Sequence, residues 1–315
     1  MHFIKYFCLF LIASTFLSCS DAVTDSKENV EDNGSANKMP AVQAKEQRIV
    51  SLNGTITELL YFLGYANELV GVDVTSSYPE QVNKLPKLGH VRSLNAESIL
   101  AMKPTLIFID QENAKSKALE RLEKSGIQIV VIEMEHTLDN ATKAANQIIK
   151  VMAQEGDKMT ILANLQERVN ENKEKLKVVK AKMSTPPKVL FIYARGTKQL
   201  MVAGKNTFAE SIINLAGGIN GATDFEYFKA LSPEALLANP PDVILMFEGG
   251  LASLSKDGER QAAIDALAQL PAVSQTPAGK NKRVITMDGL YLSGFGPRAS
   301  DAALELATSL LEFSQ

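Results

Sequence analysis

The chain of 315 residues has only two cysteines, Cys8 and Cys19, and both lie in its first 19 positions. The body of the protein is therefore without a thiol, which excludes disulfides, cysteine metal sites and iron–sulfur clusters there. The 33 basic and 36 acidic residues nearly balance, and no dense run of Lys and Arg interleaved with aromatic residues occurs. We therefore expect no nucleic-acid partner.

Catalytic motifs are also missing from the sequence. Its glycine-rich segments GGLASLSKDG and LAGGING lack the lysine and serine of a P-loop, and neither an HExxH motif nor a Gly-x-Ser-x-Gly elbow occurs. We expect a protein that is not an enzyme. A metal-cofactor enzyme of the chelatase type is the alternative, because such enzymes also pair two doubly wound lobes around a cofactor.

The first 19 residues, MHFIKYFCLFLIASTFLSC, have a basic start, an apolar run and small residues before a cysteine. This order is typical of an export signal, and the ending FLSC resembles a bacterial lipoprotein box in which Cys19 is lipidated. Ordinary signal cleavage is the alternative. Residues 20–46 are polar and without hydrophobic period, which predicts a flexible tether. We expect a lipid-anchored protein in the periplasm or at the cell surface, with no other membrane contact.

From position 47 onward, apolar β-rich segments such as LVGVDV, LIFID and IQIVVIE alternate with helical segments, and a second such series begins at KVLFIYA. The alternation predicts an α/β fold with two doubly wound lobes, residues 47–156 and 186–315. Between them, apolar residues recur at intervals of three, four and seven without glycine or proline. This spacing predicts one amphipathic linking helix within residues 157–185, about 40 Å long.

The two lobes repeat one another weakly, since LNAESILAMKPTLIFI at 94–109 matches LSPEALLANPPDVILM at 231–246. Four residues recur at the same offset: Leu94, Glu97, Leu100 and Pro104 match Leu231, Glu234, Leu237 and Pro241. We attribute the recurring hydrophobic residues to packing. Glu97 and Glu234 have two interpretations, because a first-turn carboxylate stabilises the helix dipole and two outward acids could also dock a symmetric basic partner.

The motifs IVSLNGTITELLYFLG, LGHVRSLNAESILAMKPTLI, MVAGKNTFAESIINLAGG and MDGLYLSGFGPR, together with the linking helix and the lipoprotein start, resemble the haem-binding substrate-binding proteins of bacterial ABC importers. The resemblance runs from about Gln47 to Phe313 and implies a class III periplasmic binding protein fold. It implies a monomer that captures haem in an interlobe cleft and delivers it to a permease contacted through Glu97 and Glu234. A ferric siderophore or cobalamin is the alternative cargo.

The resemblance also implies a set of haem contacts. Relatives usually have a tyrosine ligand where this chain has His90, and an arginine at the position of Arg92. We expect His90 to be the axial ligand of the haem iron, because neutral imidazole also binds haem iron well. Arg92 is then free to pair with a propionate.

Four further residues are predicted to bind haem. Tyr78 could supply a phenolate if the imidazole does not, and Tyr291 lies in a glycine-flanked loop that could stack on a porphyrin. Arg195 follows a strand and is expected to contact a propionate or cover the distal face. Arg298, which precedes the last helix, is a further candidate, although packing at the loop end is the rival role. His136 is regarded as a loop residue rather than a ligand.

Overall fold

The structure is a computed structural model that describes residues 47–153 and 156–314. The predicted signal peptide, the predicted lipidation site Cys19 and the whole of the predicted tether lie outside the described residues. Within those residues, no helix combines the length and the apolar character that a bilayer crossing requires. We call residues 47–153 the first lobe and residues 188–314 the second lobe.

The first lobe is built on a parallel four-stranded sheet in the order β2-β1-β3-β4. All five residues of its central strand LIFID are buried, as expected for a strand covered by helices on both faces. The elements in chain order are β1 (Ile49–Ser51), α1 (Gly54–Phe62), β2 (Leu69–Val72), α2 (Ala96–Ala101), β3 (Leu106–Asp110), α3 (Lys117–Lys124), β4 (Gln128–Ile132) and α4 (Asn140–Met152).

A single long helix, α5 (Gly156–Ala181), follows the first lobe and packs against both lobes. Near its start, Ile161 and Leu162 contact the core of the first lobe. Farther along, Leu176 is buried in a core that consists mainly of second-lobe residues, and the Asn172 side chain donates to Ser300 Oγ at 3.0 Å. Helix α5 thus contacts both lobes. The lobe boundaries predicted from the sequence stay predictions.

The second lobe contains a six-stranded mixed sheet in the order β10-β9-β5-β6-β8, with β7 also paired to β5. Its elements are β5 (Lys188–Ala194), β6 (Leu200–Ala203), α6 (Phe208–Ala216), β7 (Ile219–Asn220), β8 (Phe228–Ala230), α7 (Pro233–Ala238), β9 (Val243–Phe247), α8 (Glu248–Ala252), α9 (Arg260–Ala268), α10 (Pro277–Lys280), β10 (Val284–Met287), α11 (Gly289–Ser293) and α12 (Ala299–Leu311).

The α/β class predicted from the sequence is confirmed, but the second sheet is not wholly parallel. Strands β6 and β8 run antiparallel to their neighbours. The physical reason is the connection from β5 to β6, which spans only residues 195–199. So short a connection can form a hairpin but cannot cross over to a parallel strand, which needs a dozen or more residues.

The two lobes also contact each other directly, through the segment between β10 and α12. The carbonyl oxygen of Gly294 accepts a hydrogen bond from Thr55 Oγ1 at 2.8 Å. The carbonyl oxygen of Phe295 accepts one from Asn140 Nδ2 at 3.0 Å. Phe295 itself is buried. The segment MDGLYLSGFGPR therefore fastens the second lobe to helices α1 and α4 of the first.

Candidate functional site

A cavity of about 780 Å³ is lined by both lobes. The first lobe contributes His90 and Arg92. The second lobe contributes aromatic side chains from β5, β8, β9 and the start of α6, apolar side chains from β6, and basic side chains from the loop 195–199. Its volume falls in the range of about 300–1,000 Å³ that is typical of small-molecule sites. The structure thus brings together three of the residues predicted from the sequence, namely His90, Arg92 and Arg195.

His90 is positioned by a tight turn at the edge of the first lobe. The preceding Gly89 has a φ of 89°, in the left-handed region that favours glycine. His90 then caps a short 3-10 turn, and its ring Nδ1 accepts a hydrogen bond from the Arg92 backbone N–H at 3.1 Å. The imidazole is exposed to the cavity side of the turn rather than packed in the core.

This hydrogen bond has a chemical consequence for the imidazole. Because Nδ1 accepts, the neutral ring carries its proton on Nε2. A metal-bound histidine normally binds through one nitrogen and donates the N–H of the other to a carbonyl or carboxylate. Coordination through Nε2 therefore requires the proton to move to Nδ1 and the amide of Arg92 to turn away from the ring.

An aromatic wall, which we define as Tyr193, Phe208, Phe228 and Phe247, lines the cavity on the second lobe. Phe208 and Phe247 are stacked, with ring centroids 5.7 Å apart and planes at 10°. Phe228 lies 6.1 Å from Phe208. The buried Phe191 contacts both rings edge-on. Its ring centroid lies 5.0 Å from that of Phe247 and 5.1 Å from that of Phe208. The wall thus offers several aromatic rings, packed on one another, for contact with an apolar ligand.

The sequence interpretation missed this wall. A signal was nevertheless present, because Tyr193 and Phe247 fall at the carboxyl ends of the strands KVLFIYA and VILMF. Ligands of α/β sheets gather at such ends. Phe228 could not be found in this way, because its strand was itself not predicted.

Three cationic side chains, Arg92, Arg195 and Lys198, line the same cavity and are exposed. Arg195 is held by its neighbour, since its Nε donates to the Tyr193 hydroxyl at 2.8 Å and its guanidinium lies 5.4 Å from the centre of that ring. No carboxylate among residues 47–153 and 156–314 forms an ion pair with any of the three. The cavity therefore offers positive charge to an anionic group of a ligand.

Arg298, Tyr78 and Tyr291 form a separate cluster. Arg298 Nε and Nη2 donate to the carboxylate oxygens of Glu58 at 2.7 Å and 3.0 Å, and only 5% of the Glu58 side chain is exposed. The guanidinium lies 3.6 Å from the centre of the Tyr78 ring and 5.1 Å from that of Tyr291. Arg298 thus has Glu58 as its ion-pair partner and lies against the Tyr78 ring, and Arg298, Tyr78 and Tyr291 do not line the cavity.

The pKa values of this region agree with a structural role. Burial opposes the charge of Arg298, but the hydrogen bonds and the negative charge of Glu58 outweigh it and raise the pKa of Arg298. Burial, with the nearby Glu305 carboxylate, raises the pKa of the Tyr291 phenol. The raised pKa favours the neutral phenol of Tyr291 in the protein without ligand.

His136 lies outside the cavity as well. Its ring packs on Phe295, with centroids 5.2 Å apart and planes at 42°. Burial lowers the pKa of His136, and the opposing effect of the Glu112 charge is smaller. The residue as a whole is nevertheless exposed, so its ring packs on Phe295 at the protein surface rather than in the core.

Glu97 and Glu234 lie in the first turns of α2 and α7. The Glu97 side chain is 77% exposed, and Arg121 lies 3.8 Å from its carboxylate. Glu234 is also exposed, and Ser232 Oγ donates to its carboxylate at 2.7 Å. This hydrogen bond lowers the pKa of Glu234. Both carboxylates are thus accessible.

Two α/β lobes joined by one helix, with a ligand-sized cavity lined by both, define a two-lobed binding protein. The family model described as "Periplasmic binding protein" matches residues 49–291. The chain belongs to this family.

Three relatives illustrate the range of the family. The periplasmic haem-binding protein RhuT from Roseiflexus sp. RS-1, solved in the apo form, is 35% identical with a TM-score of 0.76, over 86% of this chain and 100% of that one. The substrate-binding lipoprotein YvrC of Bacillus subtilis is 24% identical over 87% of this chain and 83% of its own length. The vitamin B12-binding protein of Pectobacterium atrosepticum is 28% identical over 86% of this chain and 91% of its own length.

Proposed function

We propose that the protein captures haem in the interlobe cavity and delivers it to the permease of an ABC importer. The observation that carries the proposal is the composition of the cavity, which combines an imidazole, four aromatic side chains and three exposed cationic side chains. Haem has a matching composition, because it is a planar apolar macrocycle with an iron that accepts axial ligands and with two carboxylates. In the proposal, the cationic side chains bind the carboxylates of haem and the aromatic side chains contact the face of its macrocycle.

Cobalamin is the second candidate cargo, because a relative is named as a vitamin B12-binding protein. The cavity favours haem on physical grounds. Cobalamin presents mainly neutral amide groups around its ring, so it has less use for three cations. Arg92, Arg195 and Lys198 instead suit propionates. The similarity to the haem-binding protein, at 35% identity, supports the same choice.

In this proposal, His90 binds the haem iron, Arg92 and Arg195 contact propionates, and the aromatic wall covers one face of the porphyrin. Glu97 and Glu234 contact cationic residues of the permease, and Cys19 carries the lipid that keeps the monomer at its membrane. The lipoprotein name of the Bacillus subtilis relative supports this location. Tyr78, Tyr291 and Arg298 hold the lobes together. No reaction is catalysed, since binding and release are the function.

A haemin titration of the wild type beside His90→Ala and His136→Ala tests the proposal. The wild type should give a saturable Soret band, while His90→Ala should shift that band and weaken binding at least about tenfold, because the axial bond is lost. His136→Ala is the matched control and should behave as the wild type. A colourless wild type would refute haem as cargo, and a His90→Ala spectrum identical to the wild type would refute the ligand.

A further inference from the structure

A second cavity lies in the second lobe, behind strands β6 and β8 as seen from the interlobe cavity. It has a volume of about 250 Å³ and is lined by β5, β6, β8, the loop between β7 and β8 and one face of α7. Neighbouring side chains of a strand point to opposite faces of the sheet. Phe228 accordingly lines the interlobe cavity, whereas Lys229 lines the second one. We call this second space the rear cavity.

Core residues form the floor of the rear cavity. Leu190, Val202, Ala222 and Leu236 are at most 7% exposed and belong to one core of the second lobe. Protein interiors are densely packed, and voids larger than a water molecule are few. An apolar cavity of about 150 Å³ is enough to hold benzene. The rear cavity, at about 250 Å³, therefore has room for one aromatic ring with small substituents.

Hydrogen bonds and close packing fix the walls around this space. The buried Asn220 donates from Nδ2 to two backbone carbonyl oxygens at 3.3 Å and 3.2 Å, and its Oδ1 accepts from the Ala222 N–H at 3.2 Å. The Phe225 ring lies directly on Gly204, where a Cβ atom would come within 2.6 Å of the ring. The rear cavity is thus preformed, so a ligand loses little affinity to the ordering of its walls.

The opening of the rear cavity carries one charge of each sign. Asp224 and Lys229 both line it and are exposed, and neither forms an ion pair within the described ranges 47–153 and 156–314. Lys229 Nζ lies 4.8 Å from the centre of the Phe225 ring, and Asn239 adds a neutral amide. The opening therefore offers no net charge, in contrast to the interlobe cavity with its three cationic side chains.

We propose that the rear cavity is a second ligand site, which takes a neutral molecule with a single aromatic ring and a hydroxyl or amide group. The ring lies on the apolar floor beside Phe225, and the polar group faces the opening near Asn239. A charged group on the same ring gains nothing from an opening without net charge and would be desolvated at a cost. The inference goes beyond the proposed function and does not depend on it.

Binding of p-cresol to the protein, labelled with ¹³C on its leucine and valine methyl groups, tests the proposal by NMR. p-Cresol has one ring and a hydroxyl that is neutral at pH 7. It should bind with a Kd on the order of 1 mM and shift the methyl signals of Leu190, Val202 and Leu236. Benzoate and benzylamine, which carry a charge on the same ring, should bind at least about tenfold more weakly.

Two alanines of α7 provide a matched pair of variants. Ala235 and Ala238 are both exposed, but only Ala235 lines the rear cavity. Ala235→Phe fills the opening and should weaken p-cresol binding at least about tenfold, whereas Ala238→Phe should bind as the wild type. Val202→Thr keeps the shape of the floor but adds a hydroxyl, and it should weaken binding about fivefold. Circular dichroism reports whether each variant is folded.

The outcomes separate this inference from the proposed function. A wild type that binds haemin but shows no saturable p-cresol binding would overturn the inference and leave the proposed function standing. A wild type that binds p-cresol but no haemin would do the reverse. Shifts at Leu200 of the interlobe cavity, without shifts at the floor residues, would overturn the location. Equal losses in Ala235→Phe and Ala238→Phe would overturn it too, and benzoate or benzylamine binding as tight as that of p-cresol would overturn the neutral class of ligand.

Discussion

The ion pair between Glu58 and Arg298 is the clearest single contact that holds the two lobes together, and its removal gives a quantitative prediction. Both hydrogen bonds of the pair are short, at 2.7 Å and 3.0 Å. The side chains are only 5% and 22% exposed. Glu58→Gln removes one charge with almost no change of shape, and it leaves the Arg298 guanidinium beside a neutral amide in a largely dry site.

The expected cost follows from this burial. Removing one partner of a fully buried ion pair costs about 3–5 kcal/mol, because the other charge stays buried without compensation. Since about a fifth of Arg298 is in contact with water and its stacking on Tyr78 is retained, we expect the lower end of this range. The free energy of unfolding should therefore fall by about 3 kcal/mol.

Urea unfolding followed by circular dichroism measures this loss, and Glu174→Gln is the matched control. Glu174 pairs with Lys177 at 2.6 Å, almost the same distance, but the two side chains are 70% and 72% exposed. The control should lose no more than about 0.5 kcal/mol. The comparison isolates burial, because the substitution and the pair distance are matched.

A second variant tests whether the two residues act as a pair. Replacing both by methionine should recover most of the loss, because apolar residues of similar volume tolerate a buried ion-pair site. A Glu58→Gln variant as stable as Glu174→Gln would refute the reasoning. The reasoning would also be refuted if the stability loss of the double methionine variant equalled the sum of the losses of Glu58→Met and Arg298→Met measured separately. Additive losses mean that the two residues are not coupled.

Two predictions concern the cavity. Arg195→Gln should weaken haemin binding about tenfold and reduce its dependence on salt, because a charge-assisted hydrogen bond to a propionate is lost; unchanged titrations at low and high ionic strength would contradict this role. In the apo protein, NMR of ¹⁵N-labelled His90 should show the proton on Nε2, and addition of the diamagnetic zinc protoporphyrin should move it to Nδ1; an Nδ1-protonated ring in the apo protein would contradict the hydrogen bond from Arg92.

The class of fold could be predicted because hydrophobic period is a local property of the chain. The segment LIFID reads as a buried strand, and all five of its residues are buried. Strand β8, by contrast, has the sequence FKA, and its three residues are exposed. It pairs with β6 through tertiary contacts rather than through a pattern of its own, so nothing in its sequence predicts it. Strand β8 was missed for this reason.

The sequence likewise predicts some residues of the candidate site but not the contacts that form between distant parts of the chain. His90 and Arg92 stand out because they are polar residues in a short loop that matches a known motif. The pairing of Glu58 with Arg298 joins residues 240 positions apart. Glu58 lies within the apparently ordinary helix TELLYFLG, where only its burial in the folded chain reveals a partner. Contacts of this kind depend on how the lobes meet and leave no local signal.

Helices α2 and α7, which carry Glu97 and Glu234, directly follow residues that line the cavity. His90 and Arg92 line the cavity just before α2 begins at Ala96, and Phe228 lines it just before α7 begins at Pro233. A partner that pulls on either helix therefore acts on the cavity wall through three or four intervening residues. Meanwhile Glu58, Arg298 and the hydrogen bonds of the segment MDGLYLSGFGPR resist separation of the lobes. Under the proposed function, release by local displacement of the cavity walls would leave the buried interlobe ion pair intact, whereas opening the lobes would break it.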